Sequence, residues 1–178
     1  MLRRGGRNRQ AKKPAADGPK DEEGRDRILA TALKALAARP RSEMQLRGLL
    51  LARTGDPDAV DNCIAKLKEL GFIDDRLFAF SYASSRLKAK PVGRSRLARE
   101  LIAKKVAPEA VEETLEAIFN QAPEGALLDR AIEKWVRTHG RPVDRRSAKR
   151  MFDHLARLGF EYDSIIKKLR AMKANLEE

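Results

Sequence analysis

Apolar residues recur at spacings of three and four from residue 25 onward, which is the period of a helix that buries one face. Leu29, Leu33 and Leu36 follow this spacing and predict a first helix. Runs in which β-branched and polar residues alternate between turn residues do not occur in the sequence, so no strand is predicted. The pattern therefore predicts an all-α protein.

Capping residues and prolines indicate where the other helices begin and end. Ser42, with Gln45 three residues later, has the spacing of a capping box and predicts the start of a second helix. Asp56 followed by Pro57 predicts the start of a third helix, which ends at Gly71. A fourth helix capped by Asp75 should stop before Pro91, and further helices are predicted near 93–105, 108–119, 124–138, 144–158 and 161–172.

The predicted helices recur in groups of three. Apolar positions of the second and third helices match a second set 51 residues further on and a third set 54 residues after that. The gap between the two helices recurs as well, at Gly55-Asp56, Val106-Ala107 and Phe160-Glu161. The matching sets are Leu46, Leu50, Val60 and Ile64, then Leu97, Leu101, Val111 and Leu115, then Met151, Leu155, Ile165 and Leu169.

This period predicts stacked modules with a long surface. We predict three tandem three-helix repeats, at residues 25–74, 75–122 and 123–178, that form an elongated, curved array. Residues 1–24 contain few large apolar side chains and cannot offset the entropy of an ordered chain, so we predict a disordered basic arm there.

Composition narrows the class of protein. The 178 residues carry a net charge of +12, and their isoelectric point is about 10.1. No apolar run approaches the roughly 18 to 20 residues that span a bilayer, and the first residues lack the apolar segment of a secretory signal. The single cysteine, Cys63, excludes an intramolecular disulfide and a cysteine-based zinc site. We therefore expect a soluble, cytoplasmic monomer with an anionic partner, without a cofactor or a membrane.

The excess charge is concentrated in two blocks. Residues 86–105 hold eight basic residues and one acidic residue, and residues 130–150 hold eight basic and two acidic residues. Residues 106–129, between the blocks, hold six acidic residues and no basic one. One interpretation is that adjacent helices of opposite charge support one another within the fold. The two basic blocks exceed the acidic segment, however, and this surplus favours a surface that contacts an anionic partner.

Helical periodicity places basic side chains of both blocks on outer faces. In the helix near 93–105, Leu97 and Leu101 share one face, and Arg96 and Arg99 lie on the other. Arginine binds carboxylates and phosphates alike, so the residues leave open whether the partner is a nucleic-acid backbone or an acidic protein surface. The predicted contact residues are Arg86, Lys88, Lys90, Arg94, Arg96, Arg99, Lys104, Lys105, Arg145, Arg146, Lys149, Arg150 and Arg157.

The sequence contains no catalytic constellation. His139 and His154 lack partners at metal-ligand spacing and are interpreted as surface residues. Asp74-Asp75 precedes a helix, which favours capping over acid–base chemistry. Gly93 begins a helix and could bring a phosphate to backbone N–H groups, and Trp135 is interpreted as a core residue. We therefore predict no enzymatic activity and no metal site.

The chain from about residue 25 to 172 resembles the RecX regulatory proteins, bacterial modulators of the RecA recombinase. In the last repeat, Leu158-Gly159-Phe160-Glu161-Tyr162-Asp163 is similar to the last repeat of that family. The first repeat departs from the family at Arg53-Thr54-Gly55-Asp56-Pro57, where a Lys-Gly-Phe-like junction is usual. The most specific similarity is in the middle repeat, at Leu70-Gly71-Phe72-Ile73-Asp74-Asp75, Phe78-Ala79, Tyr82, Ser85-Arg86, Gly93, Leu97 and Glu100-Leu101.

The resemblance implies three tandem three-helix repeats, no enzymatic activity and binding along the helical groove of the RecA–DNA filament. It also implies that the protein hinders filament extension, ATP hydrolysis, strand exchange and the coprotease role of RecA. Expected partners are the RecA nucleoprotein filament and single- and double-stranded DNA, bound through backbone contacts. The alternative hypothesis is a nucleic-acid-binding protein that acts on DNA or RNA independently of RecA.

Overall fold

The computed structural model describes the backbone of residues 19–174, and within this range the chain forms nine helices and no strand. The predicted all-α class is confirmed. None of the described helices has the length and apolar character needed to cross a membrane. The helices are α1 (Pro19–Ala38), α2 (Glu43–Thr54), α3 (Pro57–Glu69), α4 (Asp75–Ala89), α5 (Arg94–Ala103), α6 (Pro108–Gln121), α7 (Glu124–His139), α8 (Arg145–Arg157) and α9 (Tyr162–Ala174).

Helix α1 begins inside the segment that was predicted to be a disordered arm. Its first residue is Pro19, and Glu22 and Glu23 fall near its start, where carboxylates interact favourably with the helix dipole. The helix therefore starts earlier than the predicted boundary at residue 25. The rest of the predicted arm, residues 1–18, lies outside the described residues.

The helix starts confirm most of the predicted caps. The Ser42 side chain accepts a hydrogen bond from the Gln45 N–H at the start of α2, and Asp56 caps α3. Helix α4 corrects the sequence-based prediction, because Asp74, and not Asp75, provides its cap. The Asp74 carboxylate accepts two N–H groups of the first turn, at 2.8 and 3.0 Å. Asp75 is the first helical residue, and its carboxylate accepts hydrogen bonds from backbone N–H groups outside α4.

The apolar positions that match between the repeats form the hydrophobic core. All of them except Leu169 are at most 2% exposed, and Leu169 packs against the core partly buried. Among the described residues, the buried apolar side chains form two clusters, one from Ile28 to Ile73, on α1–α3 and the turn after them, and one from Ala79 to Ile165, on α4–α9 and the turns between them. The helix triplets α4–α6 and α7–α9 therefore share one core, whereas α1–α3 has a core of its own.

Hydrogen bonds to backbone carbonyl groups connect successive triplets at equivalent positions, with a side-chain donor at one joint and a backbone donor at the other. At the first joint, between α1–α3 and α4–α6, the Ser42 hydroxyl donates to the Lys104 carbonyl oxygen at 2.7 Å. At the second joint, between α4–α6 and α7–α9, the Gly93 N–H donates to the Leu158 carbonyl oxygen at 2.9 Å. Each bond connects the start of one middle helix to the end of the next. The middle helices α8, α5 and α2 therefore follow one another head to tail, an arrangement that their dipoles favour.

A carboxylate from the next triplet reinforces each joint. Asp75 accepts the N–H of Glu43 at 2.7 Å and the N–H of Ala107 at 3.3 Å. Glu124 accepts the N–H of Arg94 at 3.0 Å. Both carboxylates thus satisfy N–H groups that the start of a helix leaves without a partner. This role in the first joint explains why Asp75 does not cap its own helix.

Two glycines allow the second joint to close tightly. A Cβ on Gly93 would lie 2.2 Å from the Gly159 carbonyl oxygen, and a Cβ on Gly159 would lie 2.5 Å from the Cβ of Arg96. Gly159 also has a φ of 87°, which residues with a Cβ rarely adopt. The equivalent positions at the first joint hold Ser42 and Lys105. The second joint therefore depends on the absence of side chains at both glycines.

Candidate basic interface

Most of the predicted contact residues lie on α8 and α5. These helices of 13 and 10 residues follow one another head to tail, and together they form a tract with a contour length of about 35 Å, at about 1.5 Å per residue. We call this tract the basic strip. It consists of Arg145, Arg146, Lys149, Arg150 and Arg157 from α8, and of Arg94, Arg96, Arg99, Lys104 and Lys105 from α5 and the turn after it.

The basic strip presents unpaired cations to solvent. Successive phosphates of one strand of B-form DNA lie about 3.4 Å apart, so the strip is as long as about ten phosphates. Guanidinium groups on such a surface can bind phosphates or carboxylates. The exposed members, which form no ion pair with any carboxylate in the part of the chain that the structure describes, are Arg99, Lys105, Arg145, Arg146, Arg150 and Arg157.

The acidic helix α6 offsets only a small part of the basic charge. Glu112 forms an ion pair with Arg94 at 3.4 Å, and Glu113 forms one with Arg76 at 2.8 Å. Both pairs are largely exposed, so each contributes at most about 1 kcal/mol. On α8, Lys149 is paired within its own helix, with a carboxylate 2.8 Å away. The support between helices of opposite charge is present but small.

A half-buried carboxylate, Glu100, organises the inner side of the strip. It accepts hydrogen bonds from Arg86 at 2.7 and 3.1 Å, from Arg96 at 2.9 Å and from the Tyr82 hydroxyl at 3.0 Å. The third nitrogen of Arg86 donates to a backbone carbonyl at 3.2 Å. Lys104 Nζ lies 4.4 Å from the centroid of the Tyr82 ring. The guanidinium of Arg86 is therefore directed into the protein, where it holds Glu100 in place.

The electrostatics of this network favour a permanently charged Glu100. Burial by itself would raise the pKa of Glu100, but hydrogen bonds from Arg86, Arg96 and Tyr82 outweigh burial and lower the pKa from 4.5 to about 2. Arg96 also donates to the Arg157 carbonyl oxygen at 3.2 Å. Glu100 therefore fixes a guanidinium that connects α5 to the end of α8 at the second joint.

A second basic surface lies on α7 and was not predicted from the sequence. Arg130, Lys134 and Arg137 line a groove beside Pro91, which follows α4. Lys90 borders the adjoining pocket together with Lys134. The spacing of four and three residues between the α7 cations is the signal that could have identified them. Of the predicted contacts, Lys90 is thus half-buried near α7, and Lys88 is exposed at the end of α4.

The two histidines and the tryptophan lie around the small pocket between α7 and α8. Trp135 is 6% exposed, which confirms it as a core residue, and the ring of the exposed His139 stacks on it with 4.7 Å between centroids. His154 is half-buried and not the surface residue that was predicted, because it faces this pocket. Burial lowers the pKa of His154, and the cations Lys90 and Arg157 lower it further.

Gly93 does not provide the phosphate site that its position suggested. The Gly93 N–H donates to Leu158, and the next N–H, of Arg94, donates to Glu124. Both groups are therefore already used within the second joint. In the described range 19–174, no three His, Cys, Asp or Glu side chains lie close enough together to hold a metal ion.

Comparisons with known proteins converge on one family. The family described as "RecX, second three-helix domain" matches residues 74–115. The chain is 31% identical over 161 residues to Regulatory protein RecX of Deinococcus radiodurans, covering 85% of this chain and 76% of that protein. It is 30% identical over 145 residues to Regulatory protein RecX of Chlorobaculum tepidum, covering 82% and 88%. The crystal structure of RecX from Lactobacillus salivarius has the same fold, with a TM-score of 0.74 at 20% identity, covering 84% of this chain and 99% of that chain.

Proposed function

Because this chain belongs to the RecX family of regulatory proteins, we propose that it regulates the RecA recombinase by binding along the groove of the RecA–DNA filament. In this role it hinders filament extension, ATP hydrolysis, strand exchange and the coprotease activity of RecA. It acts in the cytoplasm as a monomer, through binding alone, without a cofactor or a reaction of its own.

The basic strip is the observation that supports this proposal. A tract about 35 Å long with exposed guanidinium groups suits a filament that repeats carboxylates and DNA phosphates along its axis. Each such contact is modest, but contacts connected through one array add up because the later ones are intramolecular. Salt should weaken the interaction, since exposed charges are screened within about 8 to 10 Å at ordinary ionic strength.

Hydrolysis of ATP by RecA on single-stranded DNA tests the regulatory role directly. The purified protein is titrated into preformed filaments, and we expect the hydrolysis rate to fall as the protein approaches the concentration of RecA. An unchanged rate at a stoichiometric dose would refute the proposal.

Charge reversal tests the basic strip. Changing Arg99, Arg146 and Arg150 together to glutamate should weaken filament binding, whereas far-UV circular dichroism should stay unchanged because these side chains are exposed and form no ion pair in the described residues. Arg96 is left intact because its reversal would place a second carboxylate beside Glu100. The matched control changes three exposed arginines outside the strip to glutamate, for the same change in net charge: Arg39, Arg53 and Arg170. Equal binding by the two triple variants would remove the strip from the interface.

A DNA titration distinguishes the proposed regulation of RecA from the alternative hypothesis, in which the protein acts on nucleic acid independently of RecA. Weak binding with a steep dependence on salt would indicate backbone contacts that serve the filament role. Tight, sequence-selective binding in the absence of RecA would favour the alternative.

A further inference from the structure

An open groove lies at the second joint, between α5 and the turn that connects α8 to α9. Its volume of about 850 Å³ falls within the range of roughly 300 to 1,000 Å³ typical of ligand sites. Arg99 contributes from α5, Arg157 from the end of α8, and the aromatic rings of Phe152 and Tyr162 form part of the lining. The groove belongs to the basic strip and combines two cations with exposed aromatic surface.

The Tyr162 ring is held by the protein but remains open to solvent. Tyr162 is 63% exposed. Its ring packs against that of Phe152, with 5.5 Å between the centroids and 47° between the planes. Tyr162 is the first residue of α9, and the helix fixes the position of its backbone. The ring is therefore a positioned aromatic surface that the core of the protein does not use.

The two arginines of the groove retain binding capacity. Arg99 Nε donates to the Ser95 carbonyl oxygen, and Arg157 Nε donates to the Asp153 carbonyl oxygen, both at 3.2 Å. These bonds orient the guanidinium groups, and neither group forms an ion pair in the part of the chain described by the structure. Of the two acids of the groove, Asp153 forms an ion pair with Lys149, and Glu161 accepts a hydrogen bond from a serine hydroxyl at 3.1 Å, so that only the charge of Asp153 is balanced by a cation.

The first joint shows that the repeat architecture does not need these side chains. Its two middle helices meet head to tail as they do at the second joint, but the matching positions hold small residues. The counterparts of Arg99, Phe152, Arg157 and Tyr162 are Gly48, Ala98, Ala103 and Pro108. Since the first joint forms without arginine or aromatic side chains at these positions, the fold does not require them at the second joint.

We propose that this groove binds single-stranded nucleic acid, with one base stacked on Tyr162 and the adjacent phosphates held by Arg99 and Arg157. Base–aromatic stacking and arginine–phosphate contacts are the two components of sites that bind single strands without sequence preference. An acidic peptide would satisfy the arginines but would leave the ring without its stacking partner. The proposal rests on the proposed function for bringing the protein to DNA, but it concerns a contact that can be measured without RecA.

The test compares two labelled strands of equal length by fluorescence anisotropy, one of oligothymidine and one of abasic backbone, each titrated with the full-length chain. Tyr162→Ala should weaken binding to oligothymidine about tenfold and leave binding to the abasic strand unchanged, because only the former has bases to stack. Tyr162→Phe keeps a ring and should bind like the unmodified protein. Arg99→Ala and Arg157→Ala should weaken both strands and reduce the salt dependence. Arg170→Ala, on the exposed side of α9, is the control.

The outcomes separate this proposal from the regulatory one. Equal affinity of Tyr162→Ala and the unmodified protein for oligothymidine, or an equal loss on both strands, would overturn the stacking contact. Loss of binding to RecA filaments with unchanged binding to oligothymidine would identify the groove as a protein contact and also overturn it. If Tyr162→Ala loses affinity only for oligothymidine, the groove is supported. If the unmodified protein at the same time leaves the rate of ATP hydrolysis by RecA unchanged, the regulatory role is refuted.

Discussion

Replacing Glu100 with glutamine should destabilise the folded protein, because it removes the charge that three side chains hold in place. The substitution keeps the size of the side chain, but Arg86 and Arg96 lose their ionic partner. The shift of the Glu100 pKa from 4.5 to about 2 corresponds to about 3 kcal/mol at neutral pH, at about 1.4 kcal/mol per pKa unit. The side chain is only 21% exposed, so water screens the interaction weakly. We therefore expect the free energy of unfolding to fall by about 3 kcal/mol.

The pH dependence of this effect follows from the direction of the shift. Since the pKa of Glu100 is lower in the folded protein, its stabilisation is complete above about 4.5 and is lost as the pH falls toward 2. Glutamine does not titrate in this range. The difference in stability between the unmodified protein and Glu100→Gln should therefore shrink to about half near pH 3.

Urea unfolding followed by far-UV circular dichroism measures both expectations, at neutral pH and near pH 3. Glu116→Gln is the matched control, because Glu116 is exposed on α6 and forms no ion pair in the described residues. It should leave the free energy of unfolding within about 0.5 kcal/mol of the unmodified protein. A loss below about 1 kcal/mol for Glu100→Gln, or a loss of the same size at both pH values, would refute the reasoning.

Three further substitutions test the joints by the same unfolding measurement. Gly93→Ala should cost about 3 kcal/mol or more, because its Cβ would meet the Gly159 carbonyl oxygen at 2.2 Å; a variant of normal stability would contradict the tight second joint. Gly48→Ala, a helix position with nothing within 4 Å of the new Cβ, should instead stabilise by up to about 1 kcal/mol, and a loss would show that the space is occupied. Ser42→Ala removes both the cap of α2 and the bond to Lys104 and should cost about 1 to 2 kcal/mol, whereas no change would mean that water replaces both bonds.

The positions of the helices were predictable because the signals that set them are local. Leu97 and Leu101 repeat on one face of α5, and this spacing alone identifies them as core residues. Ser42 and Asp56 cap helices as predicted, since a capping side chain needs only N–H groups two or three residues away. Asp75 was predicted incorrectly because either of two adjacent aspartates could cap α4, and only the contact with α2 distinguishes them.

The candidate interface was predictable only in part. The exposed cations Arg99, Arg146 and Arg150 lie on outer faces, as helical periodicity indicated. Arg86 belongs to the same basic block but is turned inward toward Glu100, fourteen residues further along the chain. Charge counts cannot distinguish the two cases, because the position of a carboxylate on a neighbouring helix determines where a guanidinium points.

The sequence by itself determined the helices, their period and the sign of the surface charge, because each depends on residues a few positions apart. The tertiary structure alone decided how the triplets meet. Gly93 and Gly159 are 66 positions apart in the chain, yet a Cβ on Gly93 would lie only 2.2 Å from the Gly159 carbonyl oxygen. That contact aligns α8 with α5, and only this alignment turns two separate basic blocks into one strip with a groove beside Tyr162.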